Sequence, residues 1–168
     1  DGSTDDTEQL VKSYQSQYPN FKYFKQENQG VVAAKNRGIA LSTGVYITFL
    51  DSDDAYKPNH LASRLCLLQL HPEVDALHGG VNIIGDQYVV DANNLERKIH
   101  LSECTIGATI FMKKQSWQKL GGFRNPPINT DADLMKRIIT AKMMVLKTEI
   151  PTYIYYRDEH CSITQFYS

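Results

Sequence analysis

Gly44-Val45-Tyr46-Ile47-Thr48-Phe49-Leu50 runs straight into Asp51-Ser52-Asp53-Asp54, and this junction decides how the chain is read. The first seven residues are rich in β-branched and aromatic side chains, the composition of a strand. Three carboxylates at the end of such a strand repel one another and resist ionising together. A divalent cation relieves that repulsion. Oxygen donors select magnesium, manganese or calcium over zinc, and such ions retain positions for a ligand's phosphates. The same acids also make an ordinary strand-ending turn, because Asp and Ser favour turns. An EF-hand loop is excluded. Ala55 falls where an oxygen ligand is wanted, Tyr56 where the sharp turn needs Gly, and Ala62 where the bidentate Glu belongs.

Upstream, Thr4 to Tyr18 reads as a helix capped by Ser3 or Thr4, with Leu10, Val11 and Tyr14 on one face and Pro19 beyond its end. A short strand is predicted over Phe21 to Phe24, and a second helix over Val31 to Leu41, stopped near Gly44. Downstream, Pro58 and Asn59 open a helix whose Leu61, Leu65 and Leu68 recur at helical spacing. Val74 to Ile84 is β-rich, and Gly85-Asp86 before Gln87 to Val90 predicts a hairpin, followed by a loop over Asp91 to Glu103. The pattern then gives a strand over Ile106 to Met112, a helix over Gln115 to Leu120, a Gly121-Gly122 turn and a helix over Asp131 to Ala141. Strands over Met144 to Ile150 and Tyr153 to Tyr156 close it.

Strands alternating with helices imply an α/β fold, a mostly parallel sheet flanked by helices, with ligands at the carboxyl ends of the strands. Asp51 to Asp54 fall at such an end. The chain begins inside a strand-to-helix turn, so the sheet is expected to lack its first strands within these residues, with upstream residues supplying them. An uncovered sheet edge also invites pairing with a second copy, a homo-oligomer.

The 168 residues, 42% hydrophobic and 22% charged, suit one domain, N-terminally incomplete, over 1–168. No run approaches the roughly 20 apolar residues of a spanning helix. A net charge of −1 gives no broad attraction for nucleic acid or an anionic membrane. Cys66, Cys104 and Cys161 fit no paired zinc pattern and read as reduced thiols, which favours a cytosolic setting.

Four segments stand in order: Asp1-Gly2-Ser3-Thr4-Asp5, Gly38-Ile39-Ala40 through Gly44 to Asp54, Gly121-Gly122-Phe123, and Asp131-Ala132-Asp133-Leu134. Together they resemble family 2 glycosyltransferases of the nucleotide-diphospho-sugar type, the GT-A fold. The resemblance implies that Asp1 contacts the nucleotide base and that Lys35, in a place where Arg is usual, lies on the donor side. It implies that Asp53 holds a manganese or magnesium ion and that Asp51 reaches the ribose or a metal-bound water. Asp54 would steady the local geometry, and Asp131 would be the catalytic base.

Two positions depart from the family pattern. Thr130 stands where the family has Glu, and Glu159 fills the usual His slot, so that His160, the remaining candidate metal ligand, is displaced by one. Trp117 and Phe123 read as core residues before acceptor-stacking ones. The function implied is a metal-dependent inverting transfer of a sugar from a nucleotide-diphospho-sugar, such as a UDP-sugar, to a hydroxyl of a carbohydrate or lipid-linked acceptor. A role in surface polysaccharide synthesis would go with it, in the cytoplasm and at the inner membrane face where the acceptor is lipid-linked. The alternatives are a non-catalytic nucleotide-sugar-binding domain or an interaction module derived from such an enzyme. A sugar-nucleotide-forming nucleotidyltransferase lacks its Gly-rich phosphate loop here.

Overall fold

The computed structural model describes residues 1–91, 94–126 and 129–157. The chain divides into two compact units, residues 1–42 and 43–168.

The first unit carries two helices. Helix α1 spans Thr7–Gln15, shorter at both ends than the sequence suggests. Its start is held neither by Ser3 nor by Thr4: Asp5 Oδ1 accepts from the Thr7 N–H at 3.1 Å, and that bond draws the Asp5 carboxyl below its ordinary value. Leu10 and Tyr14, expected as an inner face, are 57% and 47% exposed. The Phe21 to Phe24 stretch is irregular rather than a strand. Helix α2, Val31–Leu41, has the predicted bounds and starts after Gly30, whose φ of 85° lies in the left-handed region open to glycine.

The second unit is built on a five-stranded sheet. Its strands are β1 (Tyr46–Ile47), β2 (Ala55–Tyr56), β3 (Ala76–Gly85), β6 (Phe111–Lys113) and β7 (Val145–Arg157), in the spatial order β1-β6-β3-β7-β2. Strands β1, β3 and β7 run one way; β6 and β2 run against them. The α/β class holds, but β6 is inserted antiparallel between β1 and β3. Its direction follows from its entry point: the 3-10 turn Gly107–Thr109 brings the chain in beside Gly79, so the strand runs back along β3. Helices α3 (His60–Leu70), α4 (Lys114–Leu120) and α5 (Thr130–Thr140) complete the unit.

Strands β3 and β7 form a parallel ladder from Ala76 opposite Val145 to Gly85 opposite Arg157, with a register shift between Gly79 and Val81. The shift accommodates the Glu149 to Pro151 stretch, where Pro151 has no N–H to give the ladder. What reads in sequence as two strands is therefore one bulged strand. Gly80 faces the bulge at φ 69°, and a Cβ there would lie 2.2 Å from the Ile150 carbonyl oxygen, so the crossing requires glycine.

The core gathers Leu68, Val74, Leu77 and Phe111, with Tyr46, Leu67 and Leu146 against them. Trp117 is fully buried, its indole N–H donating to the Ile47 carbonyl at 3.3 Å. Phe49 and Phe123 pack on it at ring distances of 5.2 and 5.1 Å. Both Trp117 and Phe123 are thus core residues. Strands β4 (Tyr88–Asp91) and β5 (Asn94–His100) form a separate antiparallel ribbon. The predicted hairpin is displaced accordingly. Tyr88 to Asp91 pairs forward with a segment expected as loop, because the charges Glu96, Arg97 and Lys98 hide its β character. At the predicted turn, Asp86 Oδ1 accepts from the Tyr88 N–H at 2.9 Å.

Candidate functional site

The strand β1 delivers the chain to the acidic turn, which closes where the Asp54 N–H donates to the Asp51 carbonyl at 3.1 Å. The chain then turns back into β2, antiparallel to β7. Two tyrosines fix this reversal. The Tyr56 hydroxyl donates to the Phe49 carbonyl at 2.5 Å. The Tyr153 hydroxyl donates to Asp54 Oδ2 at 2.5 Å, and the Tyr156 N–H donates to Asp54 Oδ1 at 3.0 Å.

Asp54 therefore points inward. Burial pushes its carboxyl above the ordinary range, against the two hydrogen bonds that lower it, and Asp53 and Asp51 add to the upward shift. Tyr153 is wholly buried, and burial together with the Asp54 carboxylate drives its phenol far above the usual tyrosine range. Asp51 is half-buried and Asp53 exposed. Among the described residues no three His, Cys, Asp or Glu side chains are grouped to hold a metal ion. His160 lies outside the described residues. With Asp54 committed to Tyr153, the Asp53 and Asp51 carboxylates are the candidate donors. That fits a hard cation which takes one or two carboxylates and completes its shell with phosphate and water.

Asp131 enters from α5. Asn129, at φ 54°, caps that helix, its Oδ1 accepting from the N–H groups of Asp131 at 3.2 Å and Ala132 at 3.1 Å. The Gly107 N–H donates to Asp131 Oδ2 at 2.9 Å. A Cβ at Gly107 would lie 2.1 Å from Asp131 Oδ1, so only glycine lets the carboxylate come this close. Thr130, in the place of the family's Glu, sends its hydroxyl toward Asp131 Oδ1 at 3.4 Å. Asp133 has a different duty. Its Oδ2 accepts from Arg137 Nε at 2.8 Å, and Arg137 Nη1 donates to the Leu120 carbonyl, tying α5 to the end of α4. That end is made by Gly121 in the left-handed region, with φ 74°.

Tyr155 relates the two acidic groups. Its phenol is pushed up mainly by burial, and also by Asp54, Asp53 and Asp131. Geometry agrees: past the end of β1 the Thr48 hydroxyl donates to the Ala108 carbonyl at 3.5 Å, one residue beyond the Gly107 that holds Asp131, so Asp131 and the acidic turn share one end of the sheet. Tyr153, Tyr155 and Gly107 carry no local signature in the sequence. Tyr153 and Asp54 are 99 positions apart, and only the tertiary fold pairs them.

In the unit of residues 1–42, Asp1 Oδ1 accepts from Gln26 Nε2 and from the Gln29 N–H, both at 2.9 Å. Gly2, at φ 73°, donates its N–H to the Gln26 carbonyl at 2.8 Å. Asp1 therefore shapes the loop that leads into α2. Lys35 is half-buried on α2.

A family model described as glycosyl transferase family 2 matches residues 1–125. The minor teichoic acid biosynthesis protein GgaB of Bacillus subtilis is 29% identical over 157 residues, 84% of this chain and 17% of that protein. The structure of S. aureus TarS 1-349 in complex with UDP-GlcNAc superposes with a TM-score of 0.69 at 16% identity, covering 95% of this chain and 48% of that one. The mannosyltransferase PcManGT of Pyrobaculum calidifontis, in complex with GDP-Man and Mn2+, gives 0.68 at 19% identity, covering 98% and 48%. The chain spans under a third of the length of the curated relatives it matches and about half that of these solved structures. The likeness in structure gives the fold, and with the family model running through the acidic turn as far as Asn125, the chain belongs to glycosyltransferase family 2.

Proposed function

We propose that this chain carries the chemistry of a metal-dependent, inverting glycosyltransferase that moves a sugar from a nucleotide-diphospho-sugar, a UDP-sugar, to an acceptor hydroxyl. The observation that carries the reading is the pairing at one sheet end of an acidic turn with an oriented carboxylate, Asp131. Asp53 and Asp51 would hold a divalent cation, magnesium or manganese, which would supply Lewis-acid neutralisation of the departing diphosphate. The manganese in the PcManGT complex supports that assignment, as does the fit of the two-carboxylate set.

Asp131 acts as the base. A carboxylate offers about four lone-pair sites, so the Gly107 N–H orients it while leaving capacity to accept a proton. The acceptor hydroxyl gives its proton to Asp131 as its oxygen bonds to the anomeric carbon. The bond from that carbon to the diphosphate oxygen breaks on the opposite face, inverting the configuration in one displacement. Asp1 contacts the base and Lys35 lies on the donor side, as the family resemblance implies. The relative named for minor teichoic acid biosynthesis supports a polymer acceptor, and an acceptor at the inner face of the membrane is what the family resemblance implies. No described helix is long and apolar enough to cross one.

A second reading has its own observation. Asp131 Oδ2 is occupied by Gly107 and Thr130 replaces a carboxylate, features that also suit a domain which binds the donor without transferring it. One experiment separates the two. Transfer from UDP-sugars to a panel of glycoside acceptors is measured for the wild type and for Asp131→Asn. The transferase reading predicts turnover that falls by at least about a hundredfold in Asp131→Asn, the scale of a lost general base, with UDP affinity kept. Donor binding without turnover by the wild type favours the binding domain, and near-normal turnover by Asp131→Asn removes that residue from the base role.

A further inference from the structure

A cavity of about 250 Å3 lies beside Gly79 and Gly80, where β3 faces the bulged part of β7, toward the carboxyl end of β3. Its polar lining includes Asn82, Gln87, His100, Ser102, Lys147 and Glu149. All of these but Asn82 hold one another in place. His100 Nε2 lies 2.9 Å from Gln87 Oε1 and its Nδ1 lies 2.8 Å from Ser102 Oγ. Lys147 Nζ donates to the Ser102 carbonyl at 3.1 Å and stands 3.5 Å from Glu149.

We propose that this cavity receives a neutral sugar ring, the acceptor end of the transfer, an assignment that rests on the transferase reading. Size is the first argument. Pockets for drug-sized ligands run from roughly 300 to 1,000 Å3, so a smaller one suits a single ring. Charge is the second. Lys147 is matched by Glu149, which leaves no surplus positive charge to select a phosphate or carboxylate. What remains is an alternation of amides, hydroxyl and imidazole, donors and acceptors of the kind that sugar hydroxyls require. Their mutual hydrogen bonds fix them before a ligand arrives, which lowers the ordering cost of binding.

Position is the third argument. Ile106 lines the cavity, and the next residue, Gly107, gives its N–H to Asp131. Ile83 also lines it and stands opposite Tyr155, the phenol that feels both Asp53 and Asp131. The cavity and the proton acceptor thus share the Ile106-Gly107 segment.

The test is saturation-transfer NMR on the full chain with methyl glycosides of glucose, galactose, mannose and N-acetylglucosamine. It is run on the wild type, on Asn82→Trp, which fills the cavity, and on Gln87→Ala, which removes polar lining. Both positions are exposed, and circular dichroism checks that each variant folds. The expected result is saturation of at least one glycoside, abolished in Asn82→Trp and weakened roughly three- to tenfold in Gln87→Ala, the scale of one net hydrogen bond. No saturation of any glycoside, or saturation that persists in folded Asn82→Trp, overturns the assignment. UDP titration run in parallel keeps the two readings apart. UDP bound with no sugar in the cavity removes the cavity assignment alone, whereas sugar bound without UDP leaves a sugar site but removes the UDP-sugar transferase reading and the acceptor role that rests on it.

Discussion

Asp54 shows how one side chain sets the chemistry of its neighbours. A strand-ending run of three acids presents three candidate ligands, yet the fold withdraws Asp54 by giving it the Tyr153 hydroxyl and the Tyr156 N–H. On the proposed reading, the outer pair, Asp51 and Asp53, is what a cation would meet. Tyr153→Phe deletes the hydroxyl and leaves the half-buried Asp54 carboxylate short of a donor. A hydrogen bond to a charged group is worth about 1.5–3 kcal/mol, and denaturant unfolding should show a loss of that order. If Tyr153 also positions the acidic turn, manganese-dependent UDP binding weakens in folded Tyr153→Phe. A loss of stability with UDP binding unchanged would assign Tyr153 to stability alone. Gly107 is the other residue of this kind, its bare Cα being the condition for Asp131 to approach the backbone.

At the scale of elements, helix α3 is held to the sheet by polar groups as well as by Leu68. His60 is 1% exposed, stacks on Tyr56 at 3.8 Å and places Nδ1 3.0 Å from Thr152 Oγ1 on β7. Arg64, equally buried, donates from Nη2 to the Gly79 carbonyl at 2.6 Å. Burial, with the Arg64 charge added, pushes His60 down to about 4. In the unfolded chain the ring takes its proton near the ordinary value of about 6.5. Between these two values the unfolded state binds the extra proton, so stability rises with pH through that window and is lost as pH falls through it. The full difference is about 3 kcal/mol. Thermal melts of the wild type between pH 7 and pH 4.5 should show that slope, and His60→Gln should flatten it. The same slope in both proteins would place the effect elsewhere.

Elements that advertise themselves locally were legible. Helix α2 has its predicted bounds, and the helices that became α3, α4 and α5 begin within about two residues of expectation. Their signals are short-range: a proline or glycine at the border and apolar residues at helical spacing. The acidic turn was legible for the same reason, being contiguous. What was not legible depends on partners far along the chain. Strand β5 is a charged segment that becomes a strand because Tyr88 to Asp91 pairs with it. The antiparallel insertion of β6, the single bulged β7 and the Tyr153 bond to Asp54 are equally products of tertiary placement.

The molecule as a whole carries a net charge of −1 and a cluster of carboxylates at its acidic turn. On the proposed reading a nucleoside diphosphate binds there, and carboxylates repel it unless a cation stands between them, so that reading entails cation dependence. The measurement that tests the account most directly is calorimetric titration of UDP into the full chain, with and without manganese, for the wild type and Asp53→Ala. The account predicts binding that requires manganese and is lost in Asp53→Ala. UDP binding of equal strength without the metal, or unchanged in Asp53→Ala, would contradict it.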